Sequence, residues 1–206
     1  MVMKLYLTPA SPYARKVRIV ASEAGIGETI ELAEIDLAAP SADFLAANPL
    51  GKVPALVIGE GETLFDSPVI CEYLAELGGD VTLFPPPGPL RWAALRKQAL
   101  GDGIMDALVL IMLELRRIEA QRSPQMMARR EGQVFKALDV LEAEAGEESG
   151  APAPTIGDIS VACALGYMDF RFPDLAWRSG RDKLAADHEI FSARPAWLET
   201  APGDQV

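Results

Sequence analysis

A proline inside a strand-like run is the feature that most limits how this chain folds. Residues 48–58 read NPLGKVPALVI, followed by a glycine-containing turn and a second short strand-like run at residues 63–65. Proline lacks the N–H that a sheet ladder needs, so it normally excludes the middle of a strand. The placement predicts a cis bond between Val53 and Pro54, which exposes the main chain of Val53 to another peptide. An ordinary hairpin with a loop proline is the alternative.

Two predicted helix starts flank this run. Ser11 precedes Pro12, and Ser67 precedes Pro68. Serine is a favoured N-cap residue, and proline is favoured at the first helical position. The free N–H groups and the positive dipole end of such helices attract a carboxylate.

The N-terminal part of the chain alternates between strand and helix patterns. Residues 4–7 and 30–35 read as strands, with the first capped helix between them. A turn-rich stretch, the hairpin and the second capped helix follow. The predicted order is therefore βαβ followed by ββα.

These segments resemble the N-terminal, thioredoxin-like domain of the cytosolic glutathione S-transferase superfamily. The resemblance rests on Ser11-Pro12-Tyr13, on residues 48–54 and on Asp66-Ser67. Their order and spacing, more than any one of them, carry the likeness. It implies a protein that binds the tripeptide glutathione as a co-substrate, with a serine-type active site.

The pattern changes after residues 85–89, where four of five residues are proline and exclude helix or central strand. Helical periods follow over about 90–121 and 125–145, and no strand pair is evident. The predicted architecture is an α/β thioredoxin-like N-terminal domain (1–80), a proline-rich linker (81–89) and an all-α C-terminal domain (90–206). By resemblance, the helical domain forms the pocket for a small hydrophobic electrophile.

Thr155 and Asp158 begin a further helix that is apolar enough to be central. Thr155 is expected to accept from the Asp158 N–H, and the Asp158 carboxylate to accept from the Thr155 N–H, as in a capping box. In the resemblance this motif starts the core helix of the helical domain. Both residues are therefore assigned a structural role.

Composition excludes several classes of partner. The chain has 19 basic and 30 acidic residues and a net charge of −11, which repels nucleic acid and anionic lipid. We find no apolar run long enough to cross a bilayer, no secretory signal pattern, and no metal or redox spacing at Cys71 and Cys163. We expect a cytoplasmic protein without a metal, a nucleic-acid partner or a membrane partner.

The chemistry implied by the resemblance is attack of the glutathione thiolate on an electrophile. A free thiol has a pKa of about 8.5, and lowering it by one or two units requires about 1.4–2.8 kcal/mol of thiolate stabilisation. A hydroxyl hydrogen bond to a charged acceptor contributes roughly 1.5–3 kcal/mol. A helix N-terminus adds about 0.3–1 kcal/mol. A serine hydroxyl at a helix start is therefore sufficient.

Ser11 is the candidate catalytic residue, because its place before Pro12 matches the serine or cysteine of the serine- and cysteine-type transferases. It could instead be an N-cap with no chemical role. Tyr6 is the competitor, since other classes place a catalytic tyrosine at the end of the first strand. A buried strand tyrosine is more often a packing residue, which favours Ser11.

The expected glutathione contacts follow from the shape of the tripeptide. Its cysteinyl backbone pairs with the main chain of Val53, beside the structural Pro54. Its γ-glutamyl carboxylate lies on Ser67, and its free amine faces Asp66. Lys52 meets the glycyl carboxylate, or is merely solvated.

Other polar and aromatic residues are given structural or solvent roles. Trp92, Trp177 and Trp197 are expected to pack, and His188 to lie at the surface. Arg15, Lys16 and Arg18 either supply local positive charge or form a solvated face. Asp102 and Asp106 share a helix face and border the cleft between domains, or form a solvated or interfacial pair.

Three alternatives to conjugation stay open. One is another enzyme that uses the same thiolate, such as an isomerase, peroxidase or dehalogenase. Another is a non-catalytic binding or regulatory protein, which retention of the candidate site residues disfavours. A thioredoxin-type oxidoreductase is disfavoured because no redox cysteine lies near the first helix. A homodimer is expected by resemblance.

Overall fold

The structure is a computed structural model that describes residues 3–59, 61–146 and 153–202. These residues form two compact units, one within 1–94 together with 195–206 and one within 95–194. Residues 195–202 therefore lie with the N-terminal unit, whereas the sequence placed them with the helical domain.

A four-stranded sheet forms the centre of the first unit. Its strands are β1 (Met3–Leu7), β2 (Ile30–Glu34), β3 (Ala55–Val57) and β4 (Thr63–Leu64), in the order β2-β1-β3-β4. β1 is parallel to β2 and antiparallel to β3, and β3 is antiparallel to β4. The predicted α/β arrangement is confirmed.

Two helices connect strands of this sheet, α1 (Pro12–Glu23) between β1 and β2 and α2 (Ala42–Ala47) between β2 and β3; a third, α3 (Ser67–Gly78), follows β4. The sequence described the region of α2 only as turn-rich. This helix has six residues, of which Phe44 and Ala47 are buried, and it is capped by Ser41, whose Oγ accepts from the Phe44 N–H. Two buried positions are too few to show a helical period.

The two faces of the sheet have separate cores. Leu5 and Leu56 are completely buried on the central strands, and α1 packs against α3. Because side chains alternate along a strand, Tyr6 points to the opposite face from Leu5. There its ring contacts Phe44 of α2 edge-on, with 5.6 Å between centroids.

Among its described residues the second unit contains helices and turns but no strand. It contains most of α4 (Pro89–Leu115), then α5 (Pro124–Glu144), α6 (Ile156–Arg171) and α7 (Asp182–Ser192); α8 (Pro195–Glu199) belongs to the first unit. Short 3-10 turns occur at Gly27–Thr29 and Glu119–Gln121. Over the ranges described, no helix is both long and apolar enough to cross a membrane.

Helix α4 ends at Leu115, earlier than the predicted Gln121. Arg122 folds back and donates to the carbonyl oxygens of Leu115 and Arg117, which satisfies acceptors at this helix end. Glu114 accepts from the Ser123 N–H at 2.7 Å, where α5 begins. These contacts join residues up to nine positions apart, so a periodicity argument does not detect them.

Two expectations about burial are wrong, one for His188 and one for Trp92. His188 is buried. Its Nε2 faces the Asp169 carboxylate at 3.7 Å, and its ring contacts Trp177. Trp177 is buried as expected and donates its indole N–H to Asp169. Trp92, expected to pack, is 68% exposed.

The predicted capping box of α6 is confirmed. Thr155 Oγ1 accepts from the Asp158 N–H at 3.4 Å, and Asp158 Oδ2 accepts from the Thr155 N–H at 2.8 Å. Asp158 also accepts from Lys97 Nζ of α4 at 2.5 Å. Burial raises the pKa of Asp158, but Lys97 and the hydrogen bonds from Thr155 outweigh it, so the pKa lies below its usual value. The carboxylate thus ties the start of α6 to α4.

We expect Asp158→Ala to lower the free energy of unfolding by about 1 kcal/mol or more at neutral pH, since a cap and an ion pair are lost together. Because the folded-state pKa is depressed, this stabilisation is present above the ordinary carboxyl pKa and is lost as the pH falls through the folded value. Urea unfolding of both proteins at several pH values measures the difference. Asp174→Ala, at an exposed position, is the control; an equal loss in both variants would contradict the capping role.

Candidate active site

Three predicted site positions lie at the same end of the sheet. Ser11 follows the C-terminal end of β1, and Val53 precedes the N-terminal end of β3, which is antiparallel to β1. Ser67 follows the C-terminal end of β4, which is antiparallel to β3 and so runs in the direction of β1. The topology therefore brings together two helix starts and one stretch of main chain.

Ser11 is the N-cap of α1. Its Oγ accepts from the Ala14 N–H at 3.2 Å, and its N–H donates to the Thr8 carbonyl at 3.0 Å. The residue is 9% exposed. A hydroxyl has one proton to donate as well as lone pairs to accept with. Among the described residues the Ser11 hydroxyl has no acceptor for that proton, so the group is arranged as a hydrogen-bond donor.

Val53 lies just before β3, whose first paired residue is Ala55, opposite Tyr6. The bond from Val53 to Pro54 is cis, which confirms the prediction, and the bond from Phe65 to Asp66 is also cis. Within the described part of the chain, the main chain of Val53 makes no main-chain hydrogen bond. Its N–H and C=O are therefore available to an extended peptide.

Asn48 holds the loop that leads to Val53, a role that the sequence did not reveal. Its side chain is almost completely buried and donates from Nδ2 to the Lys52 carbonyl at 2.7 Å. Its Oδ1 accepts from the Leu50 N–H at 3.0 Å. An asparagine two residues before a turn is a recognised local signal for such a loop. Its contact with Lys52 fixes the residue before Val53.

The start of α3 differs by one residue from the prediction. Asp66, not Ser67, is the N-cap; its carbonyl accepts from the Ile70 N–H at 3.1 Å, and its side chain makes no capping bond. Ser67 is the first helical residue and is 2% exposed, whereas the Asp66 side chain is exposed. The first N–H groups of a helix have no partner inside it. The Ser67 N–H is thus a donor at this end of the sheet.

Tyr6 belongs to a packed cluster that contains Phe44, Ala47 and Ala55, with Val53 packed against it. Lys4 Nζ lies 5.1 Å from the centre of its ring. These contacts are those of a packing residue, the role that the sequence favoured.

The side chain of Lys52, the predicted contact of the glycyl carboxylate, is exposed.

The basic residues of α1 are not a solvated face. Arg15 is buried: its guanidinium carbon lies 3.4 Å from the centre of the Trp197 ring, and its Nη2 donates to the Trp197 carbonyl at 3.0 Å. Arg18 donates to the Glu199 carbonyl at 3.2 Å, and Lys16 is fully buried. Helix α8 is therefore held against α1, the helix whose first turn carries Ser11.

Asp102 and Asp106 are in the helical unit. Asp102 accepts from the Ser160 hydroxyl at 2.6 Å and so connects α4 to α6, while Asp106 is exposed. In the described parts of the chain, no three His, Cys, Asp or Glu residues come together as metal ligands.

Comparison with known proteins identifies the family. Residues 10–77 match the glutathione S-transferase N-terminal domain, and residues 124–186 match the C-terminal domain. The chain is 38% identical over 204 residues to the uncharacterized GST-like protein YibF of Escherichia coli K12, covering 97% of this chain and 98% of that protein. The chain therefore belongs to the glutathione S-transferase family.

Solved structures agree with this assignment. A glutathione transferase family member from Pseudomonas fluorescens Pf-5, with bound glutathione, is 43% identical and superposes with a TM-score of 0.92, covering 98% of this chain and 99% of that one. A structure of a Pf-5 family member with bound S-(propanoic acid)-glutathione is 42% identical, with a TM-score of 0.87 and coverage of 98% and 100%.

Proposed function

We propose that this protein is a glutathione transferase that joins the glutathione thiolate to a small hydrophobic electrophile. The observation that carries the proposal is the Ser11 hydroxyl, which accepts from the Ala14 N–H and retains its own proton for donation. It lies at the N-terminus of a 12-residue helix, where the partial positive charge favours an anion. Membership of the family and glutathione in the related Pf-5 structures support this function.

In the proposed reaction, the Ser11 hydroxyl donates a hydrogen bond to the glutathione sulfur. Because this bond is stronger to the thiolate than to the thiol, it lowers the pKa of the thiol and its proton passes to water. With 1-chloro-2,4-dinitrobenzene as electrophile, the thiolate forms a C–S bond at the ring carbon and chloride then leaves with the C–Cl bonding pair. Ser11 stays protonated and neutral throughout.

The tripeptide is proposed to bind where the three site positions meet. Its cysteinyl main chain pairs with Val53, and its γ-glutamyl carboxylate accepts from the N–H and hydroxyl of Ser67. The exposed Asp66 carboxylate faces the free amine, and Lys52 faces the glycyl carboxylate. In a chain of net charge −11, such local donors are what allow an anionic peptide to bind.

A homodimer is part of the proposal, and exposed apolar residues of the first unit support it. Leu90 and Trp92, in the first turn of α4, are 69% and 68% exposed. Arg91 between them pairs with Glu72 of α3, so they lie beside that helix. Val69 and Leu77, two turns apart on α3, are also exposed. We propose that these exposed apolar side chains contribute to the interface between the two copies.

We expect Ser11→Ala to reduce kcat/KM for conjugation of 1-chloro-2,4-dinitrobenzene by at least about tenfold, because a charge-assisted hydrogen bond to the thiolate is lost. Tyr6→Phe should have little effect, since its ring packing remains. Steady-state kinetics with product identification measures both. The reverse ranking of the two variants would assign the role to Tyr6, and a product other than the conjugate would favour an isomerase, peroxidase or dehalogenase.

Ser67→Ala should raise KM for glutathione much more than it lowers kcat, because the lost hydroxyl binds a part of the tripeptide remote from the sulfur. Calorimetric titration with glutathione measures the affinity directly. Ser179→Ala, at an exposed position of the other unit, is the matched control. Unchanged glutathione affinity in Ser67→Ala would remove this residue from the site.

A further inference from the structure

One buried arginine joins helix α8 to helix α1. Arg15 is 8% exposed, and its guanidinium carbon lies 3.4 Å from the centre of the Trp197 ring. Its Nη2 donates to the Trp197 carbonyl at 3.0 Å, and its Nε donates to Thr200 Oγ1 at 3.5 Å. Both helices belong to the same compact unit. Arg15 therefore connects segments that are 182 residues apart in the chain.

Two further hydrogen bonds strengthen this contact. Thr200 Oγ1 donates to the Ala196 carbonyl at 2.8 Å, so the hydroxyl that accepts from Arg15 is itself held in place. Three residues further along α1, Arg18 donates from Nη2 to the Glu199 carbonyl at 3.2 Å. The last carbonyl groups of a helix have no partner inside it, and basic side chains stabilise them. The C-terminal end of α8 is thus bound by arginines of α1.

The contact with α8 is made at the first turn of α1. Residues four apart share one helix face, and a helical side chain lies over the turn on the N-terminal side of its own Cα. For Arg15 that turn begins at Ser11, whose carbonyl accepts from the Arg15 N–H at 3.0 Å. Trp197 and Thr200 therefore hold the side chain that lies over the turn from which the Ser11 hydroxyl projects.

The first turn of α1 depends on such packing for its order. Helix ends fray, because their first N–H groups lack partners inside the helix. A helix of 12 residues is marginal by itself in water, so its order comes from tertiary contacts. The Ser11 Oγ accepts from the Ala14 N–H at 3.2 Å, at the long end of the range for such bonds. Contacts that fix Arg15 also restrict this turn.

We propose that Arg15 and Trp197 are positioning residues for Ser11. By holding α8 against the first turn of α1, they keep the Ser11 hydroxyl aimed at the glutathione sulfur. The inference rests on the proposed function, in which Ser11 stabilises the thiolate. A displacement of about 1 Å at a reacting group can cost about a hundredfold in rate, so a contact remote from the chemistry can control it.

Amide hydrogen exchange tests the positioning directly, without any ligand. The Ala14 N–H donates to Ser11 Oγ and the Arg15 N–H to the Ser11 carbonyl, so both amides report on the first turn. In the full chain followed by NMR, we expect Trp197→Leu to exchange both amides at least about tenfold faster, because the turn opens locally more often. The Leu74 amide, in α3, should exchange as before.

Four further variants separate the contact from general effects. Leu198→Ala removes a 64% exposed side chain of the same helix and should behave as the unmodified protein. Trp197→Phe retains a ring face for the guanidinium and should keep most of the protection. Arg15→Lys keeps the positive charge but loses the planar guanidinium, so it should behave as Trp197→Leu does. Thr200→Val removes one acceptor of Arg15 and should speed both amides even if Trp197→Leu does not fold, which thermal unfolding checks.

Titration of the bound thiol measures the consequence for glutathione. Ultraviolet absorption of the thiolate gives the thiol pKa without an electrophile, and kcat/KM for 1-chloro-2,4-dinitrobenzene at saturating glutathione follows the same ionisation. A misaimed Ser11 hydroxyl stabilises the thiolate less and so raises this pKa. We expect Trp197→Leu to raise it by about one unit, which lowers kcat/KM at neutral pH about tenfold. The loss should shrink at alkaline pH, where the thiol is ionised in both proteins.

The outcomes separate this inference from the proposed function. Faster Ala14 exchange and a raised thiol pKa in Trp197→Leu, in a protein that forms no conjugate, support the positioning role and contradict the transferase function. A protein that conjugates, but whose Trp197→Leu variant keeps the Ala14 protection or the thiol pKa, overturns the positioning role alone. Equal loss of protection at Leu74, or a rate loss of the same size at every pH, overturns it because the contact would then be merely structural. An unchanged thiol pKa in Arg15→Lys overturns it as well, since charge alone would then be sufficient.

Discussion

The missing N–H of Pro54 is the constraint on which the candidate site depends. The ladder between β1 and β3 begins only at Ala55, so the main chain of Val53 lies outside it. The side-chain amide of Asn48 holds the preceding loop in place: its Nδ2 donates to the Lys52 carbonyl, and its Oδ1 accepts from the Leu50 N–H. A segment that could have been the continuation of a strand instead presents main-chain groups that have no main-chain partner among the described residues, at the end of the sheet where α1 begins.

The same end of the sheet concentrates donors in a strongly acidic protein. The start of α1 and the start of α3 contribute N–H groups that have no partner inside their helices, and Ser11 adds a hydroxyl that can donate. Helix dipoles and oriented N–H groups act over a few ångströms, whereas the charge of −11 is spread over the surface. The net charge therefore disfavours polyanionic partners without preventing a small anionic peptide from binding locally.

Features defined by neighbouring residues were predictable. The cap of α1 at Ser11 and the capping box of Thr155 and Asp158 involve side chains and N–H groups three residues apart, so the sequence displays them directly. The cap of α3 was misplaced by one residue because Asp66 and Ser67 are both good N-cap residues and only the carbonyl bond to Ile70 distinguishes them. Helix α2 was missed because it is too short to show a period.

By itself the sequence determined the order of the strands and of α1 and α3, the ladder break at Pro54 and the caps of α1 and α6, because each depends on the local preferences of a few adjacent residues. Tertiary structure alone decided what long side chains contact. Arg15 stacks on Trp197 and His188 faces Asp169 because distant segments of the chain meet there. Whether a charged or aromatic side chain is solvated or buried depends on such partners, and sequence spacing does not specify them.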